Sequence, residues 1–168
     1  MIANNQKSNA RNAYCSYGFS IVEVLIALII LAIGLLAIAG LQMTGLRANN
    51  SAYLLSQATF SSYDILDRMR ANRSHAQNGN YNIVIQFDEN EVIMDKAEQE
   101  LDSADLAQIV YDDLYEWIAF LDGSLPGLRK VSVNVNNRIA TIEIIWNESR
   151  TEPDDDSDLS VITTQSQL

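Results

Sequence analysis

Eighteen consecutive uncharged residues, Val24 to Leu41, constrain most strongly what this chain can form. At about 1.5 Å of rise per residue they make a helix of roughly 27 Å, close to the thickness of the hydrocarbon core of a bilayer. A segment of this length and composition is typical of a membrane span. Because the chain has 168 residues, the remainder is long enough for one modest domain with its own core.

The charges are distributed unevenly about this segment. Residues 1–18 contain Lys7 and Arg11 and no acidic residue. Their removal would change the net charge from −11 to −13, since 9 basic and 22 acidic residues would remain. Basic residues beside a span tend to stay in the cytoplasm, so the acidic bulk is expected on the far side of the membrane. Such an acidic chain, without a basic patch, is not expected to bind nucleic acid.

Residue types that carry catalysis or bind metals are scarce. The single cysteine, Cys15, precedes the apolar segment, so the rest of the chain cannot form an internal disulfide. The only histidine, His75, has no nucleophile or carboxylate pair at a catalytic spacing nearby, and we predict a surface residue. The acidic stretch 88–105 lacks the residue order of a calcium loop. We therefore expect no metal, no cofactor and no enzymatic activity.

Three interpretations of the N-terminus are open. A basic segment followed by an apolar one is the pattern of a secretory signal peptide, and Ala37-Ile38-Ala39 offers a cleavage site that would leave Gly40 first. A second interpretation is an uncleaved signal anchor. Neither explains Glu23, because a carboxylate at the edge of an inserting helix costs up to a few kcal/mol unless it is paired or reaches the headgroups.

The stretch GFSIVEVLIAL, from Gly18 to Leu28, resembles the class III signal of type IV prepilins. In that family a dedicated peptidase cuts after the glycine and methylates the new N-terminus. The resemblance implies cleavage between Gly18 and Phe19, N-methylation of Phe19, and Glu23 as the fifth residue of the mature chain. It further implies that Glu23 pairs with the N-terminal amine of an adjacent subunit and sets the axial register.

Elementary electrostatics agrees with a pairing role for this glutamate. Cleavage would place a cationic amine on Phe19, one helical turn from the carboxylate of Glu23. In the apolar interior of a helical assembly each charge needs the other, or the copy of it on a neighbouring subunit. The simpler alternative is that Glu23 lies among the lipid headgroups.

The helical pattern continues beyond the apolar segment. One long helix is predicted from Phe19 to about Arg73, with a membrane-embedded half and an amphipathic half whose apolar residues recur every three or four positions. Gly34, Gly40 and Gly45 permit either bending or close packing against neighbouring helices. A break at residues 49–51 is possible. The predicted apolar face consists of Leu54, Leu55, Ala58, Phe60, Ile65, Leu66 and Met69.

Three short strings narrow the resemblance further. The string DRMRANR, residues 67–73, places three arginines at the helix end, where cations are favourable against the helix dipole. Together with GLQ at 40–42 and LPG at 125–127, it resembles one family of minor pilins, the type IV pilus modification protein PilV.

The rest of the chain predicts a small head domain. Residues 81–87 are compatible with a strand, 88–105 with a solvated acidic stretch, and Ser103 with the N-cap of a second helix that ends at Gly123 and Pro126. The apolar side chains of this helix are expected to be core. They are Leu106, Ile109, Val110, Leu114, Trp117, Ile118 and Leu121.

Residues 130–147 alternate between apolar and polar, which predicts a hairpin with a two-residue turn at Asn136-Asn137. One face carries Val131, Val133 and Val135, and then Ala140, Ile142, Ile144 and Trp146. Residues 151–168 are expected to be a disordered acidic tail, with an extra edge strand as the alternative. The order of elements predicts an α+β fold in which the amphipathic half of the long helix packs on a small antiparallel sheet, as in type IV pilins.

The predicted organisation is a leader (1–18), a transmembrane and assembly helix (19–48), a globular head (49–150) and an acidic tail (151–168). The resemblance implies a minor pilin, anchored in the inner membrane with a periplasmic head and then incorporated into the fibre for assembly or priming and adhesion or twitching motility. Its implied partners are the prepilin peptidase, the major pilin and other minor pilins, the inner-membrane assembly machinery and membrane lipid. The alternatives are a type II secretion pseudopilin and an exported binding module cut after Ala39.

Overall fold

A computed structural model describes residues 18–88, 91–148 and 159–168. Its first element, α1, is a single helix over Ile21–Ala71, which confirms the predicted long helix. The helix continues without interruption through residues 49–51, where a break had been considered possible. The chain divides after Gly45 into two compact units. The predicted leader lies outside the described residues except for Gly18.

The second unit contains a four-stranded antiparallel sheet. Its strands are β1 (Ile83–Gln86), β2 (Leu128–Asn136), β3 (Ile139–Asn147) and β4 (Leu159–Gln167), and each strand pairs with its neighbour in sequence order. The helices of this unit beyond α1 are α2 (Arg73–Gln77), α3 (Ile93–Ser103) and α4 (Gln108–Ser124). The strand predicted within residues 81–87 is therefore confirmed as β1.

The predicted hairpin is confirmed as β2 and β3, but its turn lies one residue later than predicted. Asn137 and Arg138 have positive φ angles of 49° and 64°, and Asn136 pairs with Ile139. Two successive left-handed residues define the type I′ turn, whose twist matches that of the flanking strands. The sequence correctly predicted a two-residue turn with positive φ angles. The position of the turn is set by strand pairing, which places the valines of β2 on the same side of the sheet as Ala140 and Ile142.

The core lies between the inner face of the sheet and the helices. The inward residues of β2 and β3 are buried together with one face of α1 and one face of α4, which gives the predicted helix-on-sheet α+β fold. The indole Nε1 of Trp117 in α4 donates to the carbonyl oxygen of Ser61 in α1 at 3.0 Å. The buried residues of α1 in this core are Leu54, Ala58, Ser61, Ser62, Ile65, Leu66 and Met69.

Two residues of the predicted apolar face of α1 are not part of the core. Leu55 and Phe60 are 49% and 66% exposed. Successive residues of an α-helix are about 100° apart, so Leu55 cannot share the face of Leu54, and Phe60 is about 200° from Ala58. The sequence contained more apolar residues than a single buried stripe accommodates.

The segment 88–105, for which a solvated acidic stretch and no helix was predicted, contains α3, and its described acidic residues are exposed apart from the half-buried Glu100. One face of this helix is apolar: Ala97 and Leu101 are buried and Ile93 and Met94 are half-buried, at the spacing of an amphipathic helix. Ser103 is consequently the last residue of α3 and not an N-cap: its hydroxyl donates to the carbonyl oxygen of Glu100 at 2.8 Å. The second predicted helix is α4, which begins at Gln108 and ends at Ser124.

The expected disordered acidic tail is wrong for its second half. Residues 159–167 form β4, which pairs with β3 from Leu159 opposite Asn147 to Gln167 opposite Ile139. Residues 151–158 lie outside the described residues. The alternative of an extra edge strand is therefore correct for the part of the tail that the structure describes.

The arginines near the end of α1 connect it to other elements. Arg68 donates to Glu116 at 2.8 Å and to Asp113 at 3.3 Å, both in α4, and hydrogen bonding to Glu116 raises the pKa of the guanidinium above its ordinary value. The phenol of Tyr81 also donates to Asp113, and burial, followed by this hydrogen bond, raises the pKa of Tyr81 to about 12. Arg70 donates to the hydroxyl of Ser166 in β4 at 2.6 Å. These hydrogen bonds connect the C-terminal part of α1 to α4 and β4 within the second unit.

Two isoleucines of α4 provide a matched test of this packing. Ile118 is 0% exposed, whereas Ile109, which the periodicity also placed in the core, is 55% exposed. We expect Ile118→Ala to lower the free energy of unfolding by about 2–5 kcal/mol, and Ile109→Ala to change it by no more than about 0.5 kcal/mol. Denaturant titration of the full chain in detergent, followed by tryptophan fluorescence, measures both. Equal losses for the two variants would contradict the described orientation of α4.

Candidate processing and assembly site

The bond between Gly18 and Phe19 lies just before the first helix. Residues 18–20 are not helical, and α1 begins at Ile21, with the carbonyl oxygen of Ser20 accepting from the N–H of Val24 at 3.2 Å. Gly18 is exposed, Phe19 is 83% exposed, and a Cβ added at Gly18 would meet no heavy atom within 4 Å. From Gly18 to Ser20 the chain therefore presents exposed, non-helical backbone to a peptidase.

Glu23 lies in the first turn of α1 and is exposed. A carboxylate at this position is favourable because the N-terminal end of a helix carries a partial positive charge. Within the described part of the chain, no hydrogen bond or ion pair to the Glu23 side chain is recorded. It is a charge at the start of an apolar surface with no partner recorded among those residues.

The apolar part of α1 in the first unit is exposed on all sides. Every residue from Gly18 to Gly45 is exposed, and α1 is long and apolar enough to cross a membrane. The helix passes through Gly34, Gly40 and Gly45, and each of these glycines has open space where a Cβ would lie. An apolar surface exposed in this way requires lipid or other helices around it.

These features lie together because they are close in sequence. Gly18, Phe19 and Glu23 lie within six consecutive positions, residues 18–23. The described residues contain no group of three or more histidine, cysteine or acidic side chains placed to hold a metal ion. His75 is half-buried, with its Nδ1 2.9 Å from the side-chain nitrogen of Asn80.

The strand β4 was predicted only as the alternative to a disordered tail, and its outer edge was not identified as a surface. The outer edge of β4 belongs to a segment of serine, threonine and glutamine with only a short apolar run at residues 159–162, which gave a weak strand signal. The alternation of exposed and half-buried residues along β4 becomes evident only once its pairing with β3 is known.

Comparison with known protein families identifies the N-terminal segment. Residues 15–39 match the family described as the prokaryotic N-terminal methylation motif. No curated protein and no solved structure matches this chain. The motif supports a type IV pilin-like or pseudopilin protein, which is a kind of structural protein. It also implies processing by prepilin peptidase. The long apolar helix followed by a small antiparallel sheet is consistent with a pilin-like α+β fold.

Proposed function

We propose that this chain is a minor pilin of a type IV pilus, of the PilV family, matured by cleavage between Gly18 and Phe19 and methylation of the Phe19 amine. The observation that carries the proposal is the position of Glu23 at the start of an exposed apolar helix, with no partner recorded among the described residues. The methylation motif at residues 15–39 supports the same conclusion. In this account, residues 1–18 are the leader and 19–48 the assembly helix.

The role of Glu23 follows from charge pairing in an apolar surrounding. An assembly that buries the apolar part of α1 also buries the Glu23 carboxylate and the new amine of Phe19, and an unpaired charge there costs several kcal/mol. Pairing the carboxylate of one subunit with the amine of its neighbour removes this cost and aligns the two helices. Glu23 is therefore the register contact of the assembly.

The subunit waits in the inner membrane as a single-pass protein with its C-terminal domain in the periplasm. The basic residues Lys7 and Arg11 before the span support this orientation. The machinery of the pilus then incorporates it beside the major pilin and other minor pilins. There it contributes to priming of assembly and to adhesion or twitching motility.

The competing exported-module interpretation requires cleavage after Ala39. That bond lies in the interior of α1, where the backbone is helical, whereas the Gly18–Phe19 bond precedes the helix. Peptidases bind extended segments, so access to Ala39 would require local unwinding. The position of the two bonds favours the prepilin pathway.

The type II secretion pseudopilin shares the motif, and an experiment on cells distinguishes it. Filaments sheared from cells should contain the processed chain, and deletion of its gene should reduce piliation or twitching and leave protein secretion unchanged. Absence of the chain from filaments, with normal piliation and a defect in secretion, would assign it to a pseudopilus. The Ile109→Ala variant, with its exposed substitution, serves as a control for expression.

A further inference from the structure

The β4 strand forms one edge of the sheet, and half of its backbone groups point away from β3. The N–H of Leu168 donates to the carbonyl oxygen of Arg138 at 2.8 Å. The backbone N–H and C=O groups of the even-numbered residues of β4 therefore point toward β3. Hydrogen-bonded and non-bonded pairs alternate along an antiparallel ladder. The N–H and C=O groups of Val161, Thr163, Gln165 and Gln167 consequently point outward from the edge.

The backbone groups of β3 show the same alternation between odd- and even-numbered residues. The N–H of Asn147 donates to the carbonyl oxygen of Gly127 at 2.9 Å, so the odd-numbered positions of β3 face β2. In residues 18–88, 91–148 and 159–168, no hydrogen bond to the outward backbone groups of β4 is recorded. The edge presents regularly spaced donors and acceptors to its surroundings.

The two edges of the sheet differ in how they are protected. The strand at one edge, β1, has only 4 residues, which limits strand addition. At the other edge, β4 has 9 residues in continuous register, with no charged residue, proline or glycine. Natural proteins block exposed edges with lysine, proline, bulges or short strands, and β4 has none of these. An edge left open in this way is suited to pairing with another strand.

Charge indicates what kind of strand pairs there. The second unit, residues 46–168, contains 9 basic and 21 acidic residues and has a net charge of −12. A second copy of this unit would therefore be repelled. Backbone groups spaced along an edge bind an extended peptide by their hydrogen bonds. The negative net charge of residues 46–168 favours a peptide with cationic side chains.

We propose that the outer edge of β4 binds an extended, basic segment of a different polypeptide, which adds to the sheet as a fifth strand. That this polypeptide is another filament subunit rests on the proposed function. The inference of strand pairing rests only on the outward backbone groups of β4 and on the net charge of residues 46–168.

Photo-crosslinking of the full chain in native membranes tests the pairing. A benzophenone amino acid at Gln165 should give an adduct whose peptide, identified by mass spectrometry, is an extended segment with lysine or arginine from a different polypeptide. The same reagent at Val84, which is exposed on the opposite edge strand, is the matched control and should give no such adduct.

Three substitutions at one position separate the backbone from the side chain. Thr163→Pro removes an outward N–H without removing a hydrogen bond to β3, and we expect it to lower the Gln165 adduct about tenfold or more. Thr163→Lys keeps every backbone group and blocks the edge by charge, so it should also lower the adduct. Thr163→Val keeps the N–H and should leave it unchanged. Unchanged tryptophan fluorescence confirms that the variants are folded.

Each outcome decides the proposal. An adduct of twice the chain's mass would assign the edge to a second copy and overturn it, and so would the absence of any adduct at Gln165. An adduct that persists in the folded Thr163→Pro variant would exclude strand pairing. An adduct with a basic segment of another polypeptide, in a chain that is not processed at Phe19, would support strand pairing at β4 and refute the proposed function.

Discussion

Replacing Glu23 with alanine is expected to leave cleavage at Gly18 largely intact and to lower the amount of the subunit in filaments at least about tenfold. In the proposed function, processing depends on the bond before the helix, whereas assembly depends on the carboxylate of Glu23 in its first turn. Without Glu23, the amine of Phe19 in a neighbouring subunit would be buried unpaired, at a cost of about 3–5 kcal/mol. A loss of about 1.4 kcal/mol already corresponds to tenfold in an equilibrium.

The measurement is the ratio of filament-bound to membrane-bound subunit, quantified by immunoblotting of sheared filaments and membranes. Asp122→Ala is the matched control, because it removes one exposed carboxylate from α4 and lies far along the chain from the assembly helix. It should be incorporated like the unmodified chain. Normal incorporation of Glu23→Ala would show that the register contact does not exist.

The second large effect is expected at Gly18. Gly18→Asp should abolish maturation, so that the chain stays in the membrane with its 18 leader residues and is absent from filaments. A packing defect is not the expected cause, because a Cβ at Gly18 would meet no atom of the described residues within 4 Å. A bulkier, charged residue changes only what the peptidase encounters at the bond to be cut.

The molecular mass of the membrane-extracted chain measures this directly. Gly34→Ala is the control, since it also substitutes a glycine with open space around it but lies well inside α1. This variant should be processed normally. A fully processed Gly18→Asp chain would contradict a peptidase that reads the glycine.

Much of the fold could be predicted because burial imposed a period on the sequence. The helix α4 and the hairpin of β2 and β3 have one buried face each, and the matching periods of 3.6 and 2 identified them. The apolar half of α1 was evident from its composition alone. The predicted site was evident for a different reason, since Gly18, Phe19 and Glu23 lie within one short motif.

Elements with little burial could not be predicted in the same way. The apolar face of α3 has only four residues, Ile93, Met94, Ala97 and Leu101, among more numerous charged and polar ones, and β4 consists mainly of serine, threonine and glutamine. The exposure of Phe60 and Ile109 was missed because periodicity predicts a face but not its width. The open edge of β4 required knowledge of the strand order, which no local pattern contains.

Maturation at Gly18–Phe19 is tested by the intact mass and N-terminal sequence of the native protein extracted from membranes. A prepilin matured as proposed begins at Phe19 and carries one added methyl group on its N-terminal amine. A chain that begins at Gly40 would contradict this proposal, because Glu23 would then be absent from the mature protein and could not set the register of any assembly.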